Sequence, residues 1–310
     1  MKPRTAPRTV LYRGPLSSCN YGCEYCPFAK RKESKAELAV DRAALERFVA
    51  WAVDRGDPTQ VFFTPWGEAL IRRWYREAFV ALSRAASIER VCAQTNLSWP
   101  QAWLDRCDLS RVALWCTFHP GEVSIERFVA RCKGLDARGV RYSVGVVALR
   151  EHYEAALRLR DLLSPSVYLW ANAYRREQGY YTQRQVEAWE GIDPLFSLNL
   201  REYSSLGRAC RAGSDAITVD GDGTARRCHF IDSPIGNIYD PDFARALIDA
   251  PCTRATCRCH IGYVHMDELG LYDVFEGGLL ERIPRAWPER EALLLEGRRR
   301  RGGRSLHVIS

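Results

Sequence analysis

No stretch of about eighteen uninterrupted apolar residues occurs anywhere in the chain, so no membrane-spanning helix is expected. Met1-Lys2-Pro3-Arg4-Thr5 leads into no hydrophobic signal core, and a cytoplasmic protein is expected. No internal repeat and no low-complexity linker divides the sequence. A spread basic surface is also missing. The formal charge is +7, but five of those charges come from Arg298, Arg299, Arg300, Arg301 and Arg304 beside Gly302-Gly303. Such a run reads as a solvated terminus, and phosphate affinity needs several dispersed contacts, so nucleic acid is not the expected partner.

What remains is an ordinary globular composition of 310 residues, 46% apolar and 27% charged, enough for one large domain and a small one. Twelve cysteines would suggest disulfides in a small secreted domain, which this chain does not resemble. Eight of them fall into two groups: Cys19, Cys23 and Cys26, then Cys210, Cys228, Cys252, Cys257 and Cys259. Grouped thiols of this kind argue for metal. Cys92, Cys107, Cys116 and Cys132 stand singly and read as small buried hydrophobes.

Cys19-Asn20-Tyr21-Gly22-Cys23-Glu24-Tyr25-Cys26 places three thiols on one short loop. A [4Fe–4S] cluster normally takes four protein thiolates, so three would leave one iron open to another ligand. The alternative is structural zinc, which asks for a fourth ligand; no second Cys pair or His lies near this loop.

Strand-like and helix-like stretches alternate up to about residue 174. Strands are expected at 9–12, 60–64, 90–95, 112–118, 140–149 and 167–173, and helices at 41–55, 71–85, 100–107, 124–139 and 151–163. Asp41 is the expected N-cap of the first helix, and Gly56 and Gly139 sit where C-terminal glycines would. Six strand–helix repeats imply a parallel sheet, an open partial (β/α)6 TIM-like barrel over residues 1–205. A small cysteine-rich hairpin and helix module should follow at 206–265. Its hairpin is signalled by Asp220-Gly221-Asp222-Gly223, and a helix is expected at 241–249. Residues 266–310 read as a loop, a short helix at 290–297 and the basic tail.

The order Cys-x3-Cys-x2-Cys, with Tyr25 before the last cysteine, resembles the signature of the radical SAM superfamily. That resemblance implies a [4Fe–4S] cluster on Cys19, Cys23 and Cys26 whose open iron binds S-adenosylmethionine. Reductive cleavage would then give a 5′-deoxyadenosyl radical that abstracts hydrogen from a substrate. Tyr25 would lie beside the adenine. Thr64-Pro65-Trp66-Gly67-Glu68-Ala69 resembles the superfamily's Gly-Gly-Glu-Pro turn, with Trp66 replacing the first Gly and Ala69 the Pro. Gly67 and Glu68 are therefore expected at the SAM amino group, where opposite charge favours a carboxylate; otherwise Glu68 caps the next helix. Thr95-Asn96 resembles a pair that reaches the ribose or carboxylate of SAM. His119 reads as a ligand-binding or proton-transferring residue, or as a loop histidine. Asn172 is a further candidate for the pocket. Cys92 and Cys116 are candidate hydrogen-atom donors inside the barrel, against ordinary packing.

The second group, Cys210, Gly223-x4-Cys228 and Cys252-x4-Cys257-x-Cys259, resembles the twitch and SPASM modules that carry auxiliary clusters. Five cysteines suit one auxiliary [4Fe–4S] cluster, with Cys210 and Cys228 first among its ligands. The choice among Cys252, Cys257 and Cys259 stays open, as do His260 or His265 as a mixed ligand and zinc as the metal. The resemblance implies an oxidoreductase acting on a peptide, or on a small metabolite, with flavodoxin or ferredoxin as electron donor. The segment before residue 9 is too short for a leader-peptide-binding domain. A non-catalytic iron–sulfur or zinc sensor is the reading from another class, and RNA modification through the basic tail a third.

Overall fold

The computed structural model describes residues 8–28 and 31–285. Its core is six parallel strands in sequence order: β1 Thr9–Tyr12, β2 Thr59–Phe63, β3 Ile88–Thr95, β4 Val112–Phe118, β5 Arg141–Val147 and β6 Leu169–Asn172. Helices cross back between them: α1 Lys35–Val53, α2 Arg73–Arg84, α3 Ile125–Arg138 and α4 Tyr153–Leu162. Parallel neighbours need such crossovers, which is why the strand and helix patterns alternate. β1 and β6 do not pair, so the barrel stays open, as expected.

Alternation along each strand separates two apolar layers. Val10, Phe63, Val91, Leu114 and Val146 pack with Leu45, Phe48, Phe79 and Phe128 of the helices. Leu11, Phe62, Cys92, Trp115 and Trp170 form the other face with Ile261 and Leu280, which fill the barrel interior. Gly145 is required there, because any Cβ would run into the Trp170 indole.

The sheet continues past β1. β8 Ala216–Val219 pairs parallel with it, in the register Thr9 opposite Ala216, and β9 Thr224–Arg226 and β10 Pro234–Asn237 follow antiparallel. The expected hairpin thus forms, built onto the edge of the core sheet. The expected helix at 241–249 is only a 3-10 turn, Phe243–Ala246. Further elements are α5 Gln183–Glu190, α6 Phe196–Leu200, β7 Tyr203–Ser204, β11 Thr256–Cys257, α7 His260–Tyr263 and α8 Leu271–Val274. β7 and β11 pair antiparallel. The expected helix at 290–297 and the basic tail lie outside the described residues.

Three local expectations need correction. α1 begins at Lys35, six residues before Asp41, behind the N-cap Ser34, whose side chain forms a reciprocal capping box with Glu37. Asp41 is instead a buried acceptor one turn in, taking Leu16 N (3.1 Å), Trp74 Nε1 (2.7 Å) and Tyr75 OH (3.0 Å), and so tying α1 and α2 to the chain ahead of Cys19. The cap of α1 at its other end is Asp54, not Gly56. Residues 100–107 form a 3-10 turn, Ala102–Arg106, in place of an α-helix. Ser124 and Gly139 cap α3 as expected, Gly139 at φ 67°.

Candidate active site

All the parallel strands point the same way, so their C-terminal ends gather on one rim. Arg13 and the segment to Phe28 leave β1 there, and the ends of β2, β3 and β4 each supply an anchor for that segment. Glu33, just ahead of α1, accepts from Ser17 N (2.5 Å), Ser17 Oγ (2.9 Å) and Ser18 N (2.8 Å). Burial alone would raise the Glu33 pKa, but these hydrogen bonds outweigh it and hold the carboxyl below its usual value.

After β2, Glu68 N donates to Ser18 O (3.0 Å). Gly67 makes that approach feasible: a Cβ there would stand 2.7 Å from Ser18 C and 2.8 Å from Ser18 N, nearer still to the carbonyl oxygen. The two-residue turn is thus a cradle for the backbone next to Cys19. Glu68 itself is 5% exposed and faces inward. Its Oε1 accepts Leu70 N (3.1 Å) and Thr95 Oγ1 (2.8 Å), and its Oε2 accepts Asn96 N (2.6 Å). It caps the 3-10 turn Ala69–Ile71, but from a buried position and not as the surface glutamate of the alternative reading. Burial drives its pKa up to about 7 despite those donors.

After β3, the Asn96 amide is fully engaged. Nδ2 donates to Asn20 Oδ1 (3.0 Å) and reaches Cys19 Sγ (3.6 Å), while Oδ1 accepts Ser98 N (3.0 Å). Leu97 follows with φ 58°, a left-handed conformation that costs a branched L-residue about 1–2 kcal/mol. Thr95 Oγ1 accepts Leu97 N (3.1 Å) and Trp99 Nε1 (2.7 Å), which holds that bend.

After β4, His119 Nδ1 lies 2.8 Å from Tyr25 OH and 3.4 Å from Cys23 Sγ. The Tyr25 and His119 rings stack at 6.0 Å. Burial, then the charge of His152, lowers the His119 pKa to about 4, so the ring is neutral at physiological pH. Glu122 completes the set, its Oε1 accepting Gly22 N (3.0 Å). Burial raises the Cys19 pKa, and pushes that of Cys23 up to about 11. A cation among these thiols would reverse that shift.

Gly67, Glu68, Asn96, His119 and Tyr25 therefore come together around Cys19, Cys23 and Cys26. Asn172 sits exposed at the end of β6, its carbonyl accepting Ala148 N (2.9 Å), and among the described residues no hydrogen bond joins it to the loop. Cys116 is buried on the helix-covered face with Cys132, on the side of β4 opposite the barrel interior, whereas Cys92 does face the interior. Glu33 and Glu122 escaped sequence reasoning, since an acid fixing a distant loop has no local signature.

The five later cysteines lie in one neighbourhood. Cys210, Cys228 and Cys252 bear electrostatically on one another and on Cys257, whose thiol burial pushes up to about 12. Arg227, 5% exposed, gathers their loops: Nε donates to Ala212 O (3.0 Å), Nη1 to Pro251 O (2.7 Å) and Nη2 to Ala250 O. Gly262 leaves room for the Cys257 sulfur, which a Cβ would meet at 2.9 Å. Cys259 bears on Cys257 as well, and itself lies under the charges of Arg175, Arg13 and Arg282. His260 and His265 are buried and held neutral by burial. Among the described residues no three His, Cys, Asp or Glu side chains close around one point as ligands of a single ion would. A cubane spreads its ligands over several irons.

Solved structures share the architecture. SuiB of Streptococcus suis aligns over 79% of this chain with TM-score 0.52 and 15% identity. The structure of anSMEcpe with bound AdoMet aligns over 79% at TM-score 0.53 and 16% identity, and that with AdoMet and the Kp18Cys peptide over 79% at 0.54 and 14%. These are radical SAM enzymes with SPASM or twitch modules.

The chain has the radical SAM fold. The match takes in 66% of SuiB, just under two thirds, and 81% of each anSMEcpe chain. No family model matches the sequence, and no curated protein matches it. In this fold the rim that carries Cys19, Cys23 and Cys26 is the one where barrel ligands bind. No helix among the described residues is long and apolar enough to cross a membrane.

Proposed function

We propose that this chain is a radical SAM oxidoreductase. Cys19, Cys23 and Cys26 would hold a [4Fe–4S] cluster, and Cys210, Cys228, Cys252 and Cys257 an auxiliary one. The observation that carries this is the docking of the three-thiol loop, by at least one hydrogen bond each, onto Glu33, Glu68, Asn96, His119 and Glu122. A loop fixed from so many strand ends is preorganised for a rigid cofactor. The donor set fits: three thiols, a glycine cradle beside the first, and at Cys23 a neutral His119 that does not compete as a charge. When bound, the cluster supplies the single electron that cleaves S-adenosylmethionine and so generates the hydrogen-abstracting radical.

The protein's residues do the rest. Gly67 and Glu68 fix Cys19 through Ser18. Asn96 holds Cys19 and Asn20, so in this reading it orients the loop before it touches any ribose. Neutral His119 and Tyr25 hold Cys23 from the β4 end and close that side to water. Residues 206–265 form the auxiliary unit, placed by β8 against β1. A peptide is the proposed substrate class, supported by the peptide bound in the anSMEcpe structure. The test is 5′-deoxyadenosine formation from S-adenosylmethionine by anaerobically reconstituted, dithionite-reduced protein. Production that vanishes in Cys23→Ala supports the reading; equal production in the variant defeats it.

A further inference from the structure

A cavity of about 670 Å³ opens between the first barrel unit and the hairpin of β8 and β9. Arg13 and Pro15 after β1, Val40 and Ala44 of α1, and Trp66 wall one side. Asp220, Gly221 and Asp222 of the hairpin turn wall the other, followed by His229 and Asp232. The turn is seated closely: a Cβ on Gly221 would stand 2.7 Å from Pro15 Cδ and 3.3 Å from Ala44 Cβ. The cavity thus adjoins both cysteine groups, through Trp66 beside the Gly67 cradle and His229 beside Cys228. Its volume falls within the roughly 300–1,000 Å³ usual for ligand sites.

The lining is acidic, apolar and short of hydrogen bonds at once. Arg226 pairs with Asp220 and donates to Asp232 O (2.9 Å), which draws the Asp232 loop to the hairpin. Asp222 and Asp232 are exposed and belong to no ion pair among the described residues. Thr224 N donates to Asp222 Oδ1 (2.9 Å), which holds that carboxyl below its usual pKa. Arg13 alone opposes these two acids, and its guanidinium lies against the Trp66 ring, 3.9 Å from the centroid. Val40 and Trp66, both exposed, supply apolar surface. Both ring nitrogens of His229 are buried with no hydrogen-bond partner, as is Arg13 Nε. A neutral imidazole offers one donor and one acceptor, the complement of a peptide backbone, and leaving buried groups of this kind unpaired is costly.

We propose that this cavity binds a basic residue of the peptide substrate. The alkyl stem lies along Val40 and Trp66, the ammonium or guanidinium reaches Asp222 and Asp232, and the adjoining backbone bonds to His229. This rests on the reading that the chain acts on a peptide, and deepens it: the substrate carries a lysine or arginine apart from the residue that reacts. None of the side chains that fill the barrel interior, Trp115 and Trp170 among them, lines the cavity.

The probe is N-acetyl-leucyl-lysine amide, titrated into the anaerobically reconstituted full chain beside its norleucine and glutamate counterparts. Binding is read by saturation-transfer difference NMR. The lysine peptide should bind about fivefold more tightly than the norleucine one, as expected of a cation facing two partly solvated carboxylates, and the glutamate peptide more weakly than either. Asp222→Asn and Asp232→Asn should each cut that preference and the double variant erase it, at unchanged iron content. His229→Leu should weaken the lysine and norleucine peptides alike. Val40→Trp, at an exposed helix position, should block both. Equal affinity for lysine and norleucine, a preference that survives the double variant, or wild-type binding by Val40→Trp would each overturn the proposal. So would n-butylamine binding as tightly as the lysine peptide, which would mark a site for free amines. None of these readouts needs cleavage of S-adenosylmethionine, so failure of that chemistry is seen separately.

Discussion

Gly67→Ala isolates the cradle from the rest of the fold. The added Cβ would stand 2.7–2.8 Å from Ser18 C and N and closer to its oxygen, where carbon contacts settle at about 3.5–4.0 Å. Ser18 would have to retreat by roughly an ångström. That breaks the 3.0 Å bond from Glu68 N and drags Cys19, the next residue. Overpacking costs about 1–3 kcal/mol, and a stranded buried amide a further 1–3 kcal/mol or so. Against a total stability of about 5–15 kcal/mol the barrel should survive while the loop loses its seat. Expected, then, is a near-native far-ultraviolet circular dichroism spectrum with a lowered Tm. Iron and sulfide retained by the three-thiol site should fall several-fold after reconstitution of a Cys228→Ala background, which removes the auxiliary signal. Wild-type iron content with an unchanged Tm would show that the close approach does not position Cys19.

Asn96→Asp keeps the size of the side chain but replaces the Nδ2 donor with an anion facing Asn20 Oδ1 and Cys19. Cluster content should drop sharply with little change in Tm, whereas loss of S-adenosylmethionine binding at full iron content would put Asn96 on the ligand instead. Glu68 has a folded pKa of about 7 against 4.5 ordinarily. The native state therefore holds its proton where the unfolded state has released it, and the apo protein should lose up to about 3 kcal/mol as pH rises from 4.5 to 7, then level off. Glu68→Gln should flatten that part of a urea-unfolding pH series, and a stability rising across the window would contradict the assignment. Cys257→Ala should forfeit the auxiliary iron while Cys259→Ala keeps it, as counted by iron analysis; the reverse would exchange their roles.

The barrel was legible because its signals are local. Six strands alternate with amphipathic helices, and each strand reads at nearly its true position, Val112–Phe118 at both ends. The cysteine loop was legible for the same reason, as spacing within eight residues. Capping shows where residue type alone fails. Asp41 and Ser34 are both good N-caps by chemistry, but only Ser34 has Glu37 at the capping-box position. Asp41 is claimed by Leu16, Trp74 and Tyr75, the last two more than thirty residues away. The pairing of β8 with β1 joins positions about two hundred residues apart, and no pattern within either strand announces it. The same holds for Glu33, Glu122 and Arg227, whose work is to bind backbone of remote loops. Glu68 was legible as a cap but not as a buried acid, because its three donors come partly from β3.

The far end of the barrel is closed by the chain itself, which leaves the rim as the way in. Residues 278–283 cross the starts of the strands, where Glu281 accepts from Arg90 (3.1 Å), at the beginning of β3, and from Arg141, at the beginning of β5. Ser143 Oγ donates to Glu281 O (2.5 Å) and receives Trp170 Nε1 (3.1 Å). That chain of bonds pins Leu280 and Arg282 inside and closes the interior from below, so any substrate must arrive past the cysteine loops. Glu281 is fully buried, with Arg90 20% and Arg141 41% exposed. Glu281→Ala would leave two cations beside apolar side chains with no counter-charge. Breaking a buried pair from one side costs about 3–5 kcal/mol, reduced here because Arg141 can turn to water. A Tm loss accompanied by new accessibility of Trp115 and Trp170 to acrylamide quenching is expected. Unchanged quenching in a destabilised variant would mean that Glu281 stabilises the sheet without sealing the barrel.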